Sequence, residues 1–261
     1  MFKNLGLQMY TVRDYLIDPE FADLSFRRLR ELGYTETQLA GHDSIDAKLF
    51  GELLAKNGIR VIGDHCSLDD ILNRPEETMA KYRMWGTTNL GIGGIPHEAR
   101  SGVKELAKFI DTYNKAAEIY AKEGFKLTFH NHNYEFEPID GTKIPMEFFA
   151  EEFDPNNISF VLDTCWVAAG GADVRAWMER LAGRIDILHL KDLAATRVVN
   201  ARSPEFNVTE IGNGNLYWDG IMETAEKIGV KHYVVEQDNN FKGNAFNSLR
   251  MSAEFLKKYQ K

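Results

Sequence analysis

ISFVLDTCWVAAGGADVRAWMERLAGRIDILHLKD (158–192) carries one complete repeat of a recognisable architecture. It opens on a β-rich run, ISFVLD (158–163), passes through a helical segment at about 173–182, turns at Gly183 and returns to a second run, IDILHL (185–190). A strand, a crossover helix and a second strand running the same way make a right-handed βαβ unit. Asp163 closes the first strand; His189 and Lys191 close the second. Side chains that bind metals or move protons thus stand where strands run out, which is where a parallel β/α barrel keeps its chemistry.

The same unit recurs outward in both directions. Further β-rich runs are LGLQMY (5–10), YTETQLA (34–40), IRVIGDH (59–65), TNLGIG (88–93), KLTFHNH (126–132) and HYVVEQ (232–237). Helical periodicity falls at about 20–32, 45–57, 69–85, 98–123, 143–153, 215–229 and 244–260. Gly33, Gly58, Gly86, Gly124, Gly183 and Gly229 each follow a helical segment and precede a strand, the position where a left-handed backbone is cheapest without a Cβ. Eight strand–helix units predict an α/β fold, a (β/α)8 TIM barrel, as a single domain over 1–261. A doubly wound open sheet is the alternative, but no GxGxxG follows the first strand. Polar Thr35, Glu36 and Thr37 make the second strand the least regular, and the fourth is short. Residues 191–214, with Pro204, Gly212 and Gly214, lack periodicity and read as a long loop over the mouth.

With 261 residues, 44% hydrophobic and 27% charged, the chain suits one globular domain of barrel size. A net charge of −8 argues against a broad nucleic-acid surface. No run approaches 18 apolar residues, so no membrane span is expected. Cys66 and Cys165 form no CxxC pair, and the N-terminus has no signal-peptide pattern. A cytoplasmic protein is expected, with export conceivable only if a leader had been removed. A small-molecule partner is expected, and a homo-oligomer is compatible with the chain.

Glu135, Asp163, His189 and Glu236 fall at or just past the ends of the last four strands, which are neighbours in a barrel. Each alone has an ordinary reading, as a helix cap or loop residue. Together, three carboxylates and an imidazole need a cation to offset their repulsion, and the set suits Mn²⁺, Mg²⁺ or Co²⁺ better than Zn²⁺. His130 and His132 alternate onto one strand face. His130, the deeper, either packs in the core with its nitrogens satisfied or touches substrate; His132 is the better placed for proton transfer. His65 ends the third strand and either contacts a substrate hydroxyl or caps a loop. Lys191 either stabilises an enolate or is a solvated lysine, and Trp166 either walls a sugar ring or packs. GGIP (93–96) and GNGN (212–215) lack Walker spacing and read as turns. No cysteine–histidine nucleophile pair stands out.

Taken together, GLQMYTVRD (6–14), FHNHNYEF (129–136), VLDTCW (161–166), HLKD (189–192), EIGNGNLYW (210–218) and VVEQD (234–238) resemble the sugar phosphate isomerase/epimerase family with the xylose-isomerase-like barrel. The resemblance runs from about residue 5 to residue 257. It implies one divalent metal on Glu135, Asp163, His189 and Glu236. Ketose 3-epimerases of this kind usually carry a Glu at the end of the second strand and a His three residues past the sixth-strand Asp; here Gln38 and Trp166 stand there. The nuclease branch needs histidines this chain lacks. The expected activity is metal-dependent proton abstraction next to a carbonyl of a ketose or keto-sugar, giving isomerisation or epimerisation, with Glu135, Glu236 and His132 as acid/base groups. A lyase or hydratase of 3-keto-glycosides or inososes, and a non-catalytic sugar-binding barrel, are the alternatives.

Overall fold

The computed structural model of the protein describes residues 1–40, 44–141, 143–196 and 205–261. In chain order its strands are β1 (Leu5–Gln8), β2 (Tyr34–Leu39), β3 (Arg60–Asp64), β4 (Asn89–Ile92), β5 (Lys126–His130), β6 (Ile158–Asp163), β7 (Ile185–Leu190), β8 (Asp192–Thr196), β9 (Glu205–Thr209) and β10 (His232–Val235). Eight of them form one sheet in the order β3-β2-β1-β10-β7-β6-β5-β4. Neighbours in it pair in parallel. The two edges meet through a bridge between His65 and Gly91, where the Cys66 N–H donates to the Gly91 carbonyl at 2.6 Å. The sheet therefore curls into a nearly closed barrel, as the eight strand–helix units predict. Gly91 is required: a Cβ there would lie 1.8 Å from the Thr128 carbonyl oxygen.

Helices α1 (Pro19–Glu31), α2 (Ala47–Lys56), α3 (Leu68–Asn73), α4 (Pro75–Met84), α5 (Val103–Lys122), α6 (Pro145–Glu152), α7 (Thr164–Ala169), α8 (Val174–Arg180), α9 (Trp218–Ile228) and α10 (Ala245–Leu256) connect the strands. The predicted helix at 69–85 is two helices, because Pro75 pushes Arg74 to φ −133°, ψ 48° and restarts the chain. The predicted helix at 98–123 is likewise a 3₁₀ turn, His97–Arg100, followed by α5. All six glycines expected at helix ends have positive φ, between 68° and 98°.

β6 and β7 are buried at every position, as strands covered by helices outside and side chains inside must be. Outside them, α6 sets Phe149 and Phe153 against Phe129, with ring centroids 4.6 and 5.6 Å away, each ring contributing about 1.5–3 kcal/mol by burial. Inside, Ile62, Val161, Ile187 and Val234 form an apolar plug. Below it, at the N-terminal end, two buried carboxylates are fully engaged. Glu36 pairs with Arg60 and accepts from His232 at 2.9 Å and Asn4 at 3.2 Å. Asp186 is held by Ser159 at 2.9 Å, Lys231 at 2.7 Å and Asn89 at 3.3 Å.

Part of the segment expected as an irregular loop, 191–214, is regular. β8 and β9 pair antiparallel as an arm outside the barrel; Pro204 lies outside the described residues. Asp192 anchors this arm. Its carboxylate accepts the Trp218 indole N–H at 2.7 Å and the backbone N–H groups of Gly212 and Gly214 at 2.9 and 3.1 Å. GNGN is thus a turn wrapped on an aspartate.

Candidate active site

β5 stops at His130, two residues earlier than its alternating pattern suggests, so His132 begins the loop above it. The His130 Nδ1 bonds the Gly93 carbonyl at 3.1 Å, which fixes the tautomer and leaves Nε2 bare. His189 on β7 repeats this arrangement: Nε2 meets the Gln38 Oε1 at 2.5 Å, and Nδ1 has no hydrogen-bond partner. Asp163 divides its two oxygens. Oδ1 caps α7 through the Trp166 N–H at 2.9 Å, while Oδ2 is buried without a partner, 3.5 Å from His130 Nε2. Glu236, just past β10, brings Oε2 to 3.0 Å from His189 Nδ1. Ligand atoms of His130, Asp163, His189 and Glu236 all lie within 4.8 Å of one another.

The composition of this group differs from the expected one. His130 belongs to it and Glu135 does not. A 3₁₀ turn, Tyr134–Phe136, folds Glu135 back so that its Oε2 accepts the His132 N–H at 2.7 Å, and burial pushes its carboxyl up to about 7. Two imidazoles and two carboxylates replace the expected three carboxylates and one imidazole. Three of the four residues present a buried, unsatisfied atom to one point, each costing about 1–3 kcal/mol if left so. A divalent cation satisfies all three at once, so the residues fit the metal.

Lys191 is 1% exposed and is not a solvated lysine. Its ammonium lies 2.5 Å from Asp238, 3.1 Å from Glu236 and 3.6 Å from Asp163. Burial opposes its charge, but the Glu236 and Asp163 carboxylates outweigh that and raise its pKa. Burial likewise opposes charge on His189, yet Glu236 and Asp163 hold it up to about 9. His132 is held the other way: burial and the neighbouring His130 bring it down to about 3, so it stands neutral. Its Nδ1 meets the Tyr134 hydroxyl at 3.0 Å.

His130, His132, Lys191 and Glu236 line a cavity of about 350 Å³ at the C-terminal end of the barrel, together with Tyr10, His65, Trp166 and Asp238. The Lys191 ammonium sits 4.6 Å from the centroid of the Trp166 ring, and the Trp166 indole N–H is buried without a partner. Of the residues expected at the mouth, His65, His130, His132, Trp166, Lys191 and Glu236 line it; Glu135, Asp163 and His189 are not among its lining residues. Nothing in the motif spacing marked Gln8, whose side chain donates to Gln38 at 3.1 Å, or Asn131, whose oxygen accepts the Asp163 N–H at 2.9 Å. Gln38 orients His189, a task visible in the sequence only as a polar residue on an otherwise buried strand. Burial pushes the Cys66 thiol up to about 11 and raises that of Cys165, in line with the lack of a cysteine nucleophile.

A family model described as a xylose isomerase-like TIM barrel matches residues 26–259. An inosose dehydratase of Geobacillus kaustophilus (strain HTA426) is 26% identical over 193 residues, which is 66% of this chain and 62% of the relative. The chain's match therefore spans less than two thirds of that relative's length. Among solved structures, a sugar phosphate isomerase/epimerase from Parabacteroides distasonis ATCC 8503 superposes with a TM-score of 0.81 at 23% identity, covering 99% of this chain and 96% of that one. A D-allulose 3-epimerase from Methylomonas sp., in complex with D-allulose, gives a TM-score of 0.67 at 15% identity, covering 98% and 97%. Among the described residues, no helix is long and apolar enough to cross a membrane.

Proposed function

Because the chain belongs to the xylose isomerase-like TIM barrel family, we propose that it is a divalent-metal-dependent enzyme that abstracts a proton next to the carbonyl of a ketose or keto-sugar. The observation that carries this reading is the trio His130 Nε2, Asp163 Oδ2 and His189 Nδ1, buried without hydrogen bonds beside a charged lysine, next to a sugar-sized cavity that His130, Lys191 and Glu236 line. His130, Asp163, His189 and Glu236 would hold the ion. When bound, a divalent ion supplies Lewis acidity toward a carbonyl oxygen.

The chain's own groups account for the remaining steps. Trp166 and Tyr10 flank the sugar and exclude water from one side. His132, neutral and on the cavity wall, accepts the C–H proton, and the electron pair moves into the carbonyl to form an enolate. Lys191, held protonated by three carboxylates, donates to the enolate oxygen. Returning that proton to the former carbonyl carbon, while the neighbouring hydroxyl passes its own proton to the enolate oxygen by way of Lys191, completes an isomerisation. Expulsion of a group at the β carbon instead completes an elimination.

One observation favours the second outcome. Epimerisation needs a proton acceptor on each face of the substrate, and Glu135, expected on one of them, has one carboxylate oxygen taken by the His132 N–H of its own loop. A keto-sugar lyase or dehydratase, which handles the proton on one face, is the reading this supports, and the inosose dehydratase relative is in keeping with it. Metal analysis of purified protein, followed by deuterium exchange in D₂O over free ketoses and 3-keto-glycosides, tests both. Metal-dependent exchange with a lost β-substituent supports elimination, and exchange with the substituent retained supports isomerisation. Sugar binding with no exchange by any metal-loaded form overturns the catalytic reading.

A further inference from the structure

A second set of donors overlaps the four-residue group. His65, His130 and His189 also bring ring nitrogens within 4.8 Å of one another. The His65 ring centroid is 4.9 Å from that of His130 and 5.7 Å from that of His189. Both ring nitrogens of His65 are buried and neither has a hydrogen-bond partner. A packed core histidine satisfies at least one nitrogen, since an unmet buried polar group costs about 1–3 kcal/mol. The part His65 plays in closing the barrel is a main-chain one, its N–H donating to the Leu39 carbonyl at 2.9 Å, and any residue could play it. The imidazole therefore has no structural task.

His130 and His189 each have one nitrogen committed, to Gly93 and to Gln38, and one left over. They cannot serve two ions at once, so the two overlapping groups describe a single ion with shared histidines. We propose that His65 is a fifth protein ligand of the metal, giving a set of His65, His130, His189, Asp163 and Glu236. This rests on the metal-centre reading above and adds to it. Three imidazoles and two carboxylates make a set that prefers Co²⁺, Zn²⁺ or Fe²⁺ to Mg²⁺.

Calorimetric titration of metal-free protein with Co²⁺ and with Mg²⁺ tests this, alongside pulsed EPR of the Cu²⁺-loaded protein to count coordinated imidazoles. Wild type is expected to bind one Co²⁺ and show three imidazoles. His65→Ala and His65→Gln are expected to show two, and to bind Co²⁺ at least about tenfold more weakly, with a smaller change for Mg²⁺. Melting curves of the metal-free variants establish that they fold; of the two, His65→Gln keeps more of the side-chain volume. Unchanged Co²⁺ affinity and imidazole count in both variants, with binding lost in Asp163→Asn, would overturn the fifth ligand and leave the metal centre standing. Wild-type protein that binds none of these ions would overturn both.

Discussion

The two ends of the barrel bury similar side chains and treat them in opposite ways. At the N-terminal end, Glu36 and Asp186 are each surrounded by donors. At the C-terminal end, Asp163, His130 and His189 each keep one buried atom without a partner. Satisfied burial holds a fold together; unsatisfied burial is a cost that persists where a ligand removes it. The same fold thus separates stability from chemistry along one axis.

Substitutions at the two ends should separate these roles. Asp163→Asn is expected to lower turnover by more than about 100-fold, beyond the usual effect of losing an outer metal-shell partner, and to abolish bound metal in elemental analysis. Its urea midpoint should stay close to wild type, and a large loss of stability would erase the contrast. Asp186→Ala should do the reverse, costing about 2–4 kcal/mol in urea unfolding because Ser159 and Asn89 lose their acceptor, while turnover per folded molecule holds. Gln38→Leu frees the His189 ring and is expected to weaken metal binding by roughly 10- to 100-fold without a matching loss of stability, as read by calorimetry.

Acid probes the N-terminal carboxylates directly. Asp186 and Glu36 are both held below the ordinary carboxylate range; burial opposes this, but Lys231 and Lys126 outweigh it at Asp186, and His232 and Arg60 at Glu36. Their stabilisation is fully present above the unfolded carboxylate pKa and is lost as pH falls through the lower folded value. Metal-free wild type should therefore lose stability more steeply below about pH 4 than Asp186→Asn does, as followed by melting temperature against pH. Parallel curves would contradict this. The smallest effect is expected from Glu135→Gln. The amide still accepts the His132 N–H, so turnover should change only by about two- to fivefold, within about 1 kcal/mol. A loss as large as that of Asp163→Asn would return Glu135 to the reacting groups.

What the sequence made legible follows from backbone rules. Six glycines at helix ends and the apolar runs between them specify the barrel, because left-handed φ and continuous burial each leave a local trace. The grouping of Asp163, His189 and Glu236 at one end of the barrel was readable because each lies at or next to the end of a strand. The local course around Glu135 was not: β5 ends at His130 rather than His132, and a 3₁₀ turn at Tyr134–Phe136 brings one Glu135 oxygen onto the His132 N–H. Of the polar residues that made β2 look irregular, Glu36 belongs to the N-terminal end, while Gln38, noted only as a departure from the epimerase pattern, sits at the other. The arm of β8 and β9 was illegible because its order depends on Asp192 gathering N–H groups that are distant in sequence.

The ammonium of Lys191, set among Asp163, Glu236 and Asp238, also governs which valence the pocket takes. Three carboxylates at −3 and one lysine at +1 leave −2 when the histidines are neutral. A dication cancels this, a monovalent ion leaves one negative charge in a low-dielectric interior, and a trivalent ion overshoots by one. If the proposed ion binds there with the histidines neutral, Lys191 would act as an internal counterion that favours doubly charged guests, and sodium or potassium would be expected to compete poorly for the site.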